Sequence, residues 1–436
     1  MATGLTPVAH ESAPKLSVAL AFTVLLVIGV PISLVLALSA AIYIALTDNW
    51  VLFLTYPRQM FDGLNSYGLL ALPLFMLVGE VMEKSGITKR LIDMATAFVG
   101  ALKGGLAYIN VLANMFIAAI LGSTLAQIAI MSRAIVPEME RAGYDKSFSV
   151  ATTAAAGMLS PVIPPSMLFV IYGVVAQISI GDMFVAGIIP GLMMTAAFFA
   201  VIAVLGLFYR YPTLDERPLR LRLKLVLSGL PAALVPLVIV GSILGGIATP
   251  TESAAVAALA AALIGRFVYR ELALADLWPA LVRTAMTSAM VLMLVPTAKV
   301  FGWVITFEQV PHAVAELLQS LTSDPIVFLL LVNLGLLFVG MVIEAIAALI
   351  IVVPILLPIA VNVYGIDPVH FGVVICINLI MGLLTPPVGA GLFVSAAVSG
   401  LKPERIMLAL WPFLLATVVV LLLLILERRL TTVLLE

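Results

Sequence analysis

Two pairs of adjacent prolines interrupt the most apolar parts of this chain. They are Pro164-Pro165 in "MLSPVIPPSM" (158–167) and Pro386-Pro387 in "LTPPVGAG" (384–391). Proline inside a helix removes a backbone donor and clashes with the preceding turn, at about 3 kcal/mol. In a water-exposed loop the freed groups would be solvated. Here the surrounding runs, such as Phe148–Ala176, are too apolar for that. Within hydrocarbon such a break persists only where it lines a cavity or is buried in protein. Any fold for this chain must therefore place two non-helical breaks inside itself.

The composition fixes the solvent. Of 436 residues, 63% are hydrophobic and 10% charged, against about 25% charged in soluble domains. The apolar stretches Leu16–Leu46, Gly181–Phe208 and Leu225–Ile247 each approach or exceed the roughly 20 residues that cross a bilayer. The fold class is an all-α polytopic membrane protein. Leu16–Leu46 is long for one crossing and short for two, with "IGVPIS" at its middle, so the number of passes there stays open. Residues Met1–Pro14 lack the basic start of a signal peptide.

Several chemistries are disfavoured. The net charge of −1 offers no basic face for nucleic acid, and Cys376, the single cysteine, excludes an internal disulfide. His10, His312 and His370 have no metal-ligand spacing, and no phosphate-binding loop, GxSxG elbow or HExxH helix is present. The expectation is a non-enzyme without a bound cofactor. A channel would need a polar lining that these apolar segments lack.

The prolines belong to a repeat. "AGYDKSF" (142–148) precedes the first break and "YGIDPVHF" (364–371) the second. Gly143 and Gly365, Asp145 and Asp367, Pro164 and Pro386 are each separated by 222 positions. Upstream of each lie two apolar arms meeting at a small-residue tip, "LGSTLA" (121–126) and "VGMVIEA" (339–345). The expected organisation is a first repeat over 1–208, with a hairpin at about 104–137 and a broken helix at about 146–176. A cytoplasmic linker, 209–224, carries Arg210, Arg217, Arg220, Arg222 and Lys224. The second repeat, 225–436, has a hairpin at about 325–363 and a broken helix at about 369–396. Lys103, Arg141 and Lys146 flank the first hairpin, whereas no Lys or Arg occurs between Lys299 and Lys402. By the positive-inside rule the hairpins are re-entrant from opposite faces, which makes the repeats inverted. Inverted repeats with interrupted helices are an architecture of secondary transporters, in which freed carbonyls bind cations and half-helix ends face anionic substrates.

Longer segments carry a resemblance. "PLFMLVGEVMEKSGIT" (73–88), "GSTLAQIAIMSRAIVPEMERAGYDKSFS" (122–149), "SPVIPPSMLFVIYG" (160–173), "GGIATPTESAAVA" (245–257) and "MGLLTPPVGAGLFV" (381–394) resemble the large membrane subunit of TRAP transporters, the tripartite ATP-independent periplasmic uptake systems. The resemblance runs from about Leu16 to Leu424. It implies an elevator-type ion-transporter-like fold in the bacterial inner membrane, with Na⁺ as coupling ion. It also implies a small four-helix membrane subunit, a periplasmic binding protein as second partner, and an organic-acid cargo such as a C4-dicarboxylate. By resemblance a first sodium site uses Gly122, Ser123, Thr124, Ser160, Pro161 and Pro164. A second uses Gly340, Met341, Glu344, Thr385, Pro386, Pro387 and Gly389. Ser123, Thr124, Lys299, Pro165 and Pro387 are the candidates for the substrate. Gln127 stands where the family commonly has Asp, and is left unassigned. Lys299 stands where the family has a small apolar residue; it either meets a substrate carboxylate or snorkels or pairs with Glu308 or the small subunit. Glu80 is expected near an interface and Glu252 at a helix start. A stand-alone proton-coupled or exchange-type anion permease on the same scaffold is the rival reading.

Overall fold

The computed structural model describes residues 18–47, 50–99, 103–209, 211–212 and 218–435. The amino-terminal segment with His10, and Arg210 and Arg217 of the linker, lie outside the described residues. Among the described residues the regular elements are helical, and seven helices are long and apolar enough to cross a membrane.

The first apolar stretch divides into α1 (Val18–Val27) and α2 (Ile32–Leu46). Gly29 at φ +81° makes the turn between them and Pro31 caps α2. There follow α3 (Trp50–Leu64), a short 3₁₀ turn (Tyr67–Leu70), α4 (Ala71–Lys84) and α5 (Ile87–Val99). The next five helices are α6 (Gly105–Leu121), α7 (Thr124–Arg141), α8 (Lys146–Gly157), α9 (Met167–Ala176) and α10 (Ile180–Phe208). Then come α11 (Leu219–Leu244), α12 (Pro250–Leu263), α13 (Leu274–Phe307) and α14 (Val310–Leu321). The last six are α15 (Pro325–Val342), α16 (Ala345–Asn362), α17 (Pro368–Gly382), α18 (Ala390–Ser399), α19 (Pro403–Leu426) and α20 (Arg429–Thr432). The positive segment expected to be all linker becomes helix at Leu219, with Pro218 as cap. Its alternating Leu, Arg and Lys are strong helix formers, so Arg220, Arg222 and Lys224 ride on α11.

Helices α15–α19 start 220 to 223 residues after α6–α10, in the same order. Local chemistry repeats too. Asp145 caps α8 by accepting from the Phe148 amide at 2.9 Å, and Asp367 caps α17 by accepting from the Val369 and His370 amides. Both breaks contain a cis Pro-Pro bond.

The arms double back on each other. Asn110 in α6 reaches the Met139 sulfur near the far end of α7, while Asn114 meets Gln127 close to the tip. In the second pair Phe328, near the start of α15, stacks on Tyr364, just beyond α16, with centroids 4.1 Å apart. The pairs then exchange partners: α18 packs on α7, and α9 packs on α16. Gly340 in α15 and Gly382 at the end of α17 bring two backbones into direct contact, since a Cβ on Gly382 would lie 2.6 Å from the Gly340 carbonyl carbon. Around this set, α2–α5 and α11–α13 pack mainly on one another, α11 on α5, α12 on α4 and α13 on α2, α3 and α4. Glu80 and Arg283 join α4 to α13 at 2.9 Å, and Thr249 with Glu252 forms a reciprocal cap on α12.

Candidate functional site

The two breaks satisfy their backbone groups differently. In the first, the Ser166 hydroxyl donates to the Pro161 carbonyl at 2.6 Å and accepts from the Phe169 amide at 3.2 Å, restarting the chain as α9. The break supplies its own partners, and Ser160, Pro161, Pro164 and Pro165 are all buried. In the second, the Gly389 amide donates to the Met341 carbonyl of the neighbouring hairpin at 3.0 Å, and the Gly391 amide donates to the Leu383 carbonyl at 2.8 Å. Gly389 takes φ +53°, and a Cβ there would stand 2.9 Å from the Thr385 carbonyl oxygen. Thr385 is half-buried and spends its hydroxyl on the Met381 carbonyl, while Pro386 and Pro387 are exposed.

The hairpin tips meet. Gly122 turns the first tip at φ +58°, where an added Cβ would crowd the Met167 side chain at 2.9 Å. Ser123 precedes α7 without spending its hydroxyl on a cap. At the second tip Glu344 caps α16 through one carboxylate oxygen, accepting from the Ile346 amide at 3.0 Å and the Ala347 amide at 3.3 Å. Gly122, Ser123, Thr124, Pro161, Glu344 and Leu383 enclose a cavity of about 30 Å³. That is room for about two waters. The space suits one small ion, and the oxygens around it suit a hard cation. An organic acid does not fit.

Thus five residues singled out from the sequence, Gly122, Ser123, Thr124, Pro161 and Glu344, come together. Ser160 lies in the same break, fully buried, and its hydroxyl has no partner among the described residues. Pro164 instead lines a separate cavity of about 10 Å³ with Phe184, Ile188 and Val240. Gly340, Met341, Thr385 and Gly389 gather where α15, α17 and the second break touch.

Gln127, left unassigned from the sequence, turns out to be structural on one side and open on the other. Its amide nitrogen donates to the Asn114 backbone carbonyl and side-chain oxygen, both at 2.9 Å. Asn114 in turn donates to Asn110, and Asn110 to Thr153 in α8 at 2.7 Å. The Gln127 carbonyl oxygen is buried without a partner among the described residues. A second cavity, about 520 Å³, lies apart from the tips, lined by Lys299 together with Asp62, Gln59, Gln177 and Trp303. Lys299 has no hydrogen bond or ion pair among the described residues. Glu308, its expected neighbour, receives the Tyr43 hydroxyl instead. Asp62 escaped sequence reading because it sits in a short polar stretch that looks like an ordinary loop, and Gln177 because a single amide among apolar residues gives no signal.

Residues 19–430 match the profile of the tripartite ATP-independent periplasmic transporter, DctM component. The chain belongs to that family. It is 40% identical over 90% of its length to the isethionate TRAP transporter permease protein DctMQ of Oleidesulfovibrio alaskensis, a longer protein of which it spans 62%. It is 37% identical to the sialic acid TRAP transporter large permease protein SiaM of Vibrio cholerae, over 89% of this chain and 91% of that one. With the C4-dicarboxylate TRAP transporter large permease protein DctM of Pseudomonas aeruginosa it shares 37% identity, over 83% and 84%. Among solved structures it overlays on the YdaH transporter of Alcanivorax borkumensis with a TM-score of 0.66 at 16% identity, covering 86% of this chain and 87% of that one. At that identity the overlay establishes the fold alone. As a TRAP large permease, the protein resides in the bacterial inner membrane.

Proposed function

We propose that this permease drives uptake of a small organic acid across the inner membrane by coupling it to Na⁺, without enzymatic chemistry of its own. The observation that carries the proposal is the meeting of both hairpin tips around a small cavity lined by Ser123, Thr124 and Glu344. Na⁺ held there draws the two tips together. An acid bound beside ordered tips then has less ordering left to do, and that saving is the coupling. The second sodium position lies at the Met341 and Thr385 carbonyls near Gly389.

The proposed movement is an elevator: α6–α10 with α15–α19 shift as a body against α2–α5 and α11–α13. The division of packing between the two sets supports this. So does the placement of the hairpin bases. Tyr211 stacks on Tyr144 and Phe148 beside the base of the first hairpin, beyond the end of α10. Arg428 meets Asp367 at the base of the second, and Leu434 soon after it shares a cavity with Ser179 and Ile180 at the start of α10. Opposite ends of one 29-residue helix thus mark the two bases, as inverted re-entrant hairpins require. The proposed partners are a small four-helix membrane subunit and a periplasmic binding protein that delivers the acid; the names of the relatives point to carboxylates, sialic acids or sulfonates as cargo.

The test is uptake of labelled acid into proteoliposomes holding all three proteins, with and without an inward Na⁺ gradient. Uptake that needs the gradient and the binding protein supports the reading. Uptake by the permease alone, driven by a proton gradient, would overturn it. Glu344 would then be the proton carrier, since one of its carboxylate oxygens is not used in capping.

A further inference from the structure

The 520 Å³ cavity lies within the usual range of small-molecule sites, about 300–1,000 Å³. It straddles the two packing sets. Asp62 and Gln59 come from α3 and Lys299 and Trp303 from α13, on one side; Gln177 follows α9 and Ile350 belongs to α16, on the other. A molecule seated there touches both bodies that the proposed movement separates.

Its chemistry is uneven in a useful way. Lys299 and Asp62 face the same space, yet no ion pair joins them to each other or to another described residue. Both residues are exposed, and a ligand that strips the water from either one leaves its charge unpaired at a cost. A ligand avoids both costs only if it brings an anion to Lys299 and a hydrogen-bond donor to Asp62. Gln59 and Gln177 also line the space, the Gln177 nitrogen already donating to the Val174 carbonyl, and Trp303 and Ile350 offer an apolar wall. An unsubstituted dicarboxylate matches half of this site, because its second carboxylate would be turned toward the Asp62 carboxylate.

We propose that Lys299 and Asp62 form the charge-selecting pair of a substrate subsite, and that this subsite takes a small monoanionic acid bearing a hydroxyl or ammonium group at its far end in preference to a plain dicarboxylate. The inference rests on the reading of the chain as an organic-anion permease. It requires no particular driving ion.

The experiment is equilibrium binding, read as ligand-dependent thermal stabilisation of the purified permease with its small subunit in detergent. Three probes are compared: isethionate, a sulfonate with a terminal hydroxyl; ethanesulfonate, which lacks the hydroxyl; and succinate, a dianion. In the wild type isethionate binds most tightly. In Lys299→Met its half-saturation concentration rises about tenfold, as for the loss of one charge-assisted hydrogen bond, and Lys299→Arg restores it. In Asp62→Asn the gap between isethionate and ethanesulfonate narrows, and succinate gains. The proposal falls if succinate binds the wild type as well as isethionate does, if none of the probes binds, or if Lys299→Met leaves isethionate affinity unchanged. In that last case, loss of the small subunit on purification would assign Lys299 to the subunit interface. Because binding is read without a gradient, failure of sodium coupling in the uptake assay leaves this result standing, and the reverse also holds.

Discussion

The contact between Gly340 and Gly382 can be tested by one methyl group. A Cβ on Gly382 would lie 2.6 Å from the Gly340 carbonyl carbon and 2.7 Å from its Cα. Both atoms are backbone within α15, so neither can swing aside as the end of a flexible side chain would. Carbon atoms in contact sit about 3.5–4.0 Å apart, so Gly382→Ala forces α15 and α17 apart by about 1 Å. Overpacking of this kind costs about 1–3 kcal/mol. Helix propensity returns at most about 1 kcal/mol, and less here because Gly382 ends its helix. Gly335, also in α15, supplies the control, since a Cβ there meets nothing within 4 Å. Gly335→Ala therefore gains helix propensity without a clash. Paired thermal unfolding in one detergent should place Gly382→Ala below the wild type and Gly335→Ala at or above it. The damage should reach the second tip as well, because the Met341 carbonyl, one residue past Gly340, accepts from Gly389 at 3.0 Å. Half-saturation by Na⁺ should accordingly rise in Gly382→Ala and not in Gly335→Ala. A Gly382→Ala protein that melts with the wild type and keeps its sodium affinity would refute the close crossing and the tip geometry built on it.

Two further outcomes concern the site and a third a surface ion pair. Ser160→Ala removes a buried hydroxyl that has no partner among the described residues, so melting should stay level or rise by up to about 1 kcal/mol while the sodium requirement for uptake increases; unchanged sodium dependence would remove Ser160 from the ion site. Gln127→Leu strips the Asn114 oxygens of their donor and should destabilise by about 1–3 kcal/mol, read by melting; an unaffected melting curve would mean the amide chain does not brace the first tip. At the base of α5, Arg90 donates to Glu271 at 2.8 Å and holds its carboxyl below the usual 4.5. A depressed carboxyl stabilises the fold above its unfolded value and loses that contribution as pH falls through the folded one. The melting gap between wild type and Glu271→Gln should be constant above pH 4.5, close below it, and shrink in high salt because Glu271 is exposed.

Much of this architecture is legible from local chemistry. Prolines inside apolar runs announce the breaks, because no other residue removes a donor and fixes φ. Asp145 and Asp367 mark helix starts because a carboxylate two or three residues ahead of free amides is a capping pattern, and Glu252 because a carboxylate three residues after Thr249 reaches back to its amide. What escapes reading depends on distant partners. Gly340 and Gly382 look like any glycines in apolar helices until their backbones touch. Ser166, which seals the first break, lies within its own motif, but nothing in the second motif tells that it is tied to another hairpin through Met341. Gln127 gave no signal beyond its position, since its role is set by Asn114 thirteen residues earlier across the fold. Lys299 was conspicuous as a charge in an apolar helix, but Asp62, its neighbour in the cavity, belongs to the polar-looking "RQMFDGLNS" and is meaningful only once α3 lies against α13.

Cys376 sits in the middle of α17 with no exposed surface. Fully buried, its thiol meets a reagent only when the packing around α17 opens. The wild-type chain is therefore a silent background for cysteine chemistry: a label attached at the tips or at the exposed second break reports on that position alone. When the native thiol itself begins to react, the signal marks the point at which the inner helix set has come apart.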